Sequence, residues 1–117
     1  MSTYPSITQG NQIEPHDLKD VRLIGDYQEI DVRMLREGPS VHAGHVAIAL
    51  EDGVRVLLEP VWEPLALRPA AERKRFAGVR VAVVGLLFAE APPDLHHPQT
   101  ANLLMPCISD IRSIEMI

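Results

Sequence analysis

The stretch Pro69-Ala70-Ala71-Glu72-Arg73-Lys74-Arg75-Phe76-Ala77-Gly78-Val79-Arg80-Val81-Ala82-Val83-Val84-Gly85-Leu86-Leu87-Phe88 changes its period halfway along. The first half predicts one short helix over residues 69 to 77. Proline suits the opening turn, where its missing N–H forfeits no bond, and Gly78 suits the position just past the end. Phe76 is the one large apolar side chain this helix has to bury, so it is expected to plug a core. From Val79 the chain is rich in β-branched residues and becomes apolar on both faces, which is the pattern of a central strand.

Upstream, Tyr27-Gln28-Glu29-Ile30-Asp31-Val32-Arg33-Met34 alternates and predicts a half-buried first strand with Ile30, Val32 and Met34 inward. Val46-Ala47-Ile48-Ala49-Leu50 runs into Glu51-Asp52-Gly53, a turn with a glycine available for positive φ, and Val54-Arg55-Val56-Leu57-Leu58-Glu59 returns as its hairpin partner. In that partner Val54, Val56 and Leu58 face inward, and Leu57 breaks the pattern on the outer face. Downstream, a loop containing proline and histidine leads to Cys107-Ile108-Ser109-Asp110-Ile111-Arg112-Ser113-Ile114-Glu115-Met116-Ile117. Ile108, Ile111 and Ile114 fall three apart, which a plain strand cannot place on one face, so a bulge or turn near Asp110 is expected. The expected core is Ile30, Val32, Val46, Ile48, Val56, Leu58, Phe76, Val81, Val83 and Ile114.

The order is therefore β-β-β-α-β-β, an all-β domain with one short helix. It resembles the OB-fold, a five-stranded Greek-key barrel whose helix between the third and fourth strands closes one end. Glu72 to Leu86 carries the resemblance, because it is similar to the helix, glycine and fourth strand of many small OB domains. The resemblance covers Leu23 to Ile117 and implies a single OB-like domain over residues 23–117. Residues 1–22 mix Pro, Gly, Ser, Thr and Asn without a period and read as a flexible arm. Tyr4, Ile7, Ile13 and Leu18 are spaced apolar residues in that arm, able to order on a neighbouring subunit.

A chain of 117 residues suits one compact core. No run approaches the roughly 20 apolar residues of a spanning helix. With a single cysteine, Cys107, the chain has no internal disulfide and no CxxC site, so a soluble, cytoplasmic protein is expected.

The resemblance implies a ligand surface on the outer face of the second and third strands. That face would present His45, Ala47 and Ala49 beside Arg55, Leu57 and Glu59, with Glu29, Asp31 and Tyr27 from the first strand. Single-stranded nucleic acid asks for aromatic platforms and a basic groove. Small side chains and acids instead describe a flat apolar strip rimmed by charge, suited to a protein partner, and Ala47, Ala49, Leu57, Glu29, Asp31 and Glu59 are the candidate contact residues.

The formal net charge is -5, yet residues 64–80 hold 5 basic side chains against 1 acidic one. Arg68, Arg73, Lys74, Arg75 and Arg80 are thus the candidate nucleic-acid surface, the alternative reading; a basic run on a short helix is more often solvated surface.

His42, His45, His96, His97, Asp94 and Cys107 have no zinc-site spacing, so no metal and no cofactor are expected. His96 or His97 could serve as base to a Cys107 nucleophile, but Pro106 and Ile108 around that cysteine read better as entry into a buried strand. Trp62, between Pro60 and Pro64, reads as core filling rather than a partner anchor. The sequence as a whole predicts a non-catalytic binding or assembly module that contacts another protein, with no membrane association.

Overall fold

The computed structural model describes residues 4–30, 45–60, 66–91 and 105–117. Six strands and one helix follow one another: β1 (Ser6–Ile7), β2 (Asp20–Glu29), β3 (Val46–Ala49), β4 (Arg55–Leu58), α1 (Ala70–Phe76), β5 (Arg80–Phe88) and β6 (Cys107–Met116). The sheet order β1-β2-β3-β4-β6-β5, with β5 returning to pair with β2, closes a five-stranded barrel. Within the barrel β4 and β6 run parallel and the other pairs antiparallel. This connectivity, with the helix between β4 and β5, is that of an OB-like domain.

Closure rests on β2, whose residues Asp20–Asp26 pair with β5 while Asp26–Glu29 pair with β3. A strand shared in this way must bend, and Gly25 lies at the bend. A Cβ there would run into the Ala49 carbonyl oxygen and lie 2.7 Å from Ile48 Cγ2, so only glycine admits the close approach. Gly53 at φ +87 makes the β3–β4 turn expected of it, its N–H donating to the Leu50 carbonyl at 3.0 Å.

The helix covers one end of the barrel. Phe76 is 5% exposed, and its ring centroid lies 5.7 Å from that of Tyr27. The expected irregularity near Asp110 is present: Asp110 has φ +50, and Val84 and Leu86 oppose Ser113 and Ser109, so β6 has four steps where β5 has two. Val46, Ile48, Val56, Leu58, Phe76, Val81 and Val83 form the barrel interior as predicted, with Ile114 half-buried against it.

Two expectations need correction. The first strand begins at Asp20, not Tyr27: Val21, Leu23 and Tyr27 are its inward residues, each fully buried. Ile30 packs outside the barrel, and Val32, Met34 and Asp31 lie outside the described residues. The supposed arm over residues 1–22 also belongs to the domain from Tyr4 onward. β1 pairs parallel to β2, two 3-10 turns follow at Gly10–Gln12 and Glu14–His16, and Ile7 and Ile13 join the core. Ile7 and Ile13 order on their own barrel, since their burial offsets the chain entropy that a segment of this composition otherwise keeps.

Candidate functional site

The face implied as a ligand surface is closed by the chain itself. Ala47 pairs with Leu57, Leu57 with Cys107, and Cys107 with Phe88, so these four form one row across β3, β4, β6 and β5. Their neighbours Ile48, Val56, Leu58, Ile108 and Leu87 point into the barrel, so the row points out. Three of the four are nevertheless dry: Ala47 and Cys107 are 0% exposed and Leu57 is 1%, while Phe88 at the end of the row is half-buried. Ala91, Met105 and Ile30 pack with the row as a second small core. Backbone bonds fix this cover, with Ala91 N–H donating to the Met105 carbonyl and Leu57 N–H to the Pro106 carbonyl, both at 2.9 Å.

Of the residues chosen from the sequence for partner contact, Ala47 and Leu57 are therefore core, and Glu59 is buried with φ +71. Ala49 is half-buried, Glu29 is exposed, and Asp31 lies outside the described residues. Tyr27 and His45, also assigned to the outer face, are buried as well.

The basic cluster is largely occupied. Arg68 makes a two-pronged contact to Glu72, Nε to Oε2 and Nη2 to Oε1, both 2.8 Å. The Tyr27 hydroxyl donates to the same carboxylate at 2.7 Å, tying the helix to the barrel. Desolvation by burial raises the Glu72 carboxyl, but hydrogen bonds from Arg68 and Tyr27 outweigh it and hold the group below its ordinary range. The Tyr27 hydroxyl is pushed well above its usual range by burial and by Glu72. Arg73 donates to the Arg68 carbonyl and lies 3.6 Å from Glu29, and Arg80 lies 3.4 Å from Glu51. Lys74 and Arg75 alone of the five have no carboxylate partner among the described residues, and the Arg75 guanidinium rests 5.1 Å from the Phe76 ring centroid.

Cys107 is a core residue whose thiol is pushed up to about 12, chiefly by burial. Thiolate is scarce at neutral pH in such a setting, which suits packing and not nucleophilic attack. His42, His96, His97, Asp94 and Trp62 lie outside the described residues. Among the described residues no group of His, Cys, Asp and Glu is placed to hold a metal ion, and no helix is long and apolar enough to cross a membrane.

A concave surface that the sequence did not disclose lies between the N-terminal turns and the far end of β5. The cleft measures about 640 Å³. One side is built by the 3-10 turns, held to the β3–β4 hairpin by Gly10 N–H donating to Asp52 Oδ2 at 2.8 Å and Glu51 N–H to the Thr8 carbonyl at 3.0 Å. The other side is the end of β5, reached through Ala89 N–H donating to Asp17 Oδ1 at 2.8 Å and Leu18 N–H to the Leu87 carbonyl at 2.7 Å. Ile13, Leu18, Val54, Phe88 and Pro106 give the lining its apolar part, and Glu14, Asp17 and Glu90 give it carboxylates. Leu18 is 63% exposed and sits at φ +63, a conformation that costs a non-glycine residue roughly 1–2 kcal/mol.

Comparison with known proteins finds no family model, no curated protein and no solved structure that matches the chain.

Proposed function

We propose that the chain is a non-catalytic member of the OB-fold superfamily that works in the cytoplasm as a binding or assembly module contacting another protein. The observation that carries this reading is the closed outer row Ala47, Leu57 and Cys107. An OB-like domain that stacks bases or sugars keeps that face open to ligand. Here the face is filled by Ala91, Met105 and Ile30, while apolar side chains are left on other surfaces, with Leu18, Leu67, Met116 and Ile117 between 42% and 63% exposed. Exposed apolar side chains are available for protein contacts. The ion pairing of Arg68, Arg73 and Arg80 supports the same ranking over nucleic acid, because phosphate would have to displace carboxylates already in place. The buried Cys107 thiol supports a non-catalytic role.

The test is purification of the tagged chain from its native cell at physiological salt, beside titration with single-stranded DNA and RNA. A protein retained in fixed ratio is expected, with nucleic-acid binding that is weak and lost as salt rises. A tight nucleic-acid complex that persists at about 150 mM salt would overturn the reading in favour of the basic surface.

A further inference from the structure

We infer that the cleft between the N-terminal turns and the end of β5 is a docking groove for a short segment of a partner protein that carries an apolar side chain flanked by lysine or arginine. This rests on the protein-contact reading and names the chemistry of the partner.

The walls and the charges make the argument together. Buried Ile13 and half-buried Phe88 supply the floor, and Leu18 and Val54 continue it outward, so the groove takes an apolar side chain. Glu14, Asp17 and Glu90 are all exposed, and none has an ion-pair partner among the described residues. No lysine or arginine is among the described residues that line the groove. An occupant that is only apolar would strand these carboxylates at a drying surface, and an acidic one would be repelled. A segment with cations on both sides of its apolar residue satisfies the walls and the charges at once. Asp17 is half committed, since its Oδ1 accepts from Ala89 N–H, and that bond holds the two sides of the groove at a fixed separation. The groove is therefore set before the partner arrives, which lowers the ordering cost of binding.

The probe is a set of peptides of about nine residues with one leucine or phenylalanine flanked by lysine or arginine. Two comparison sets replace the basic residues by glutamate or the apolar residue by serine. Binding is followed by fluorescence anisotropy and mapped by backbone amide NMR on the whole chain. The basic apolar set should bind, shift the amides of Ile13, Leu18, Val54 and Phe88, and weaken as salt rises from about 50 to 500 mM. Glu14→Lys with Glu90→Lys, both at exposed positions, should lower affinity about tenfold or more. Leu18→Gly removes an apolar wall while relieving the left-handed backbone, so it should fold at least as stably as the parent yet bind less tightly. No binding by the basic apolar set, equal binding by either comparison set, or a groove filled by a second copy of the chain at high concentration would each overturn the inference. A native partner that co-purifies but is neither displaced by the peptides nor weakened by the Glu14→Lys, Glu90→Lys variant would sink the groove and leave the protein-contact reading standing; failure to retain any protein would sink that reading itself.

Discussion

Leu57→Glu separates an open ligand face from a second core. Leu57 is 1% exposed between Ala47 and Cys107. Losing its apolar burial costs about 1.5–3 kcal/mol. A carboxylate in its place would be desolvated and would take up a proton instead. Holding it neutral at pH 7 against an unfolded value near 4.3 costs roughly 3–4 kcal/mol more, at about 1.4 kcal/mol per pH unit. The sign follows from linkage: a carboxyl whose folded pKa is raised carries no charge penalty below its unfolded pKa, and the penalty grows as pH rises toward the folded value. The total is about 4.5–7 kcal/mol at pH 7, comparable with the whole stability of many small domains. Near pH 4 it falls to about 2–3 kcal/mol.

The assay is urea unfolding of the parent, Leu57→Glu, Leu57→Gln and Leu57→Ala at pH 4.5 and 7.5. The glutamine variant subtracts the pH dependence of the rest of the molecule. Leu57→Ala should lose about 2–4 kcal/mol at both pH values and remains measurable if the glutamate variant does not fold at pH 7.5. If Leu57→Ala loses less than about 1 kcal/mol and Leu57→Glu tracks Leu57→Gln at both pH values, Leu57 faces solvent and the closed-face argument is refuted.

Phe76→Ala should cost about 3–5 kcal/mol in the same assay, because it removes the ring that plugs the barrel end against Tyr27. Tyr27→Phe should cost about 1–2 kcal/mol, since it removes the hydroxyl but leaves the ring. Glu72→Gln should destabilise at neutral pH, and the gap to the parent should narrow as pH falls. The depressed Glu72 carboxyl contributes stability above its unfolded pKa that is lost as pH drops through its folded value, so a gap unchanged between pH 6 and about 3 would contradict the network. Cys107 should resist alkylation by iodoacetamide in the folded protein at pH 7.5 and react fully in urea, as read by mass; rapid labelling of the folded chain would place the thiol at the surface.

The barrel was legible because its signals are local. The helix over residues 69 to 77, the turn at Glu51-Asp52-Gly53 and the three-residue spacing of Ile108, Ile111 and Ile114 each declare a backbone shape without reference to the rest of the chain. The start of β2 was hidden by Gly25, which interrupts the inward series Val21, Leu23 and Tyr27 and lowers its apparent strand character. That glycine is demanded by the approach of Ala49, a contact between distant parts of the chain that no local pattern records. The N-terminal turns were hidden for the same reason. Their polar composition is that of an arm, and what orders them is bonding to Asp52, Leu87 and Ala89 far along the sequence.

The closed outer face, by contrast, did leave a mark in the sequence that an exposed strip cannot explain. A strand with one wet face alternates. Val56-Leu57-Leu58, Leu86-Leu87-Phe88 and Cys107-Ile108 do not, and these runs meet in register on adjacent strands, Leu57 beside Cys107 and Cys107 beside Phe88. One such run is an exception, but three that coincide across a sheet require a cover. The parallel β4–β6 pairing of the barrel topology brings these runs together as a second core. The side of the barrel beside the N-terminal turns differs, because there Leu18 exposes an apolar side chain from an unfavourable backbone conformation at a cleft lined with carboxylates. The Leu18 backbone is held there by its N–H donating to the Leu87 carbonyl at 2.7 Å, while its side chain is left 63% exposed, and glycine at position 18 would remove both costs. Under the proposed docking, the partner segment would cover that side chain.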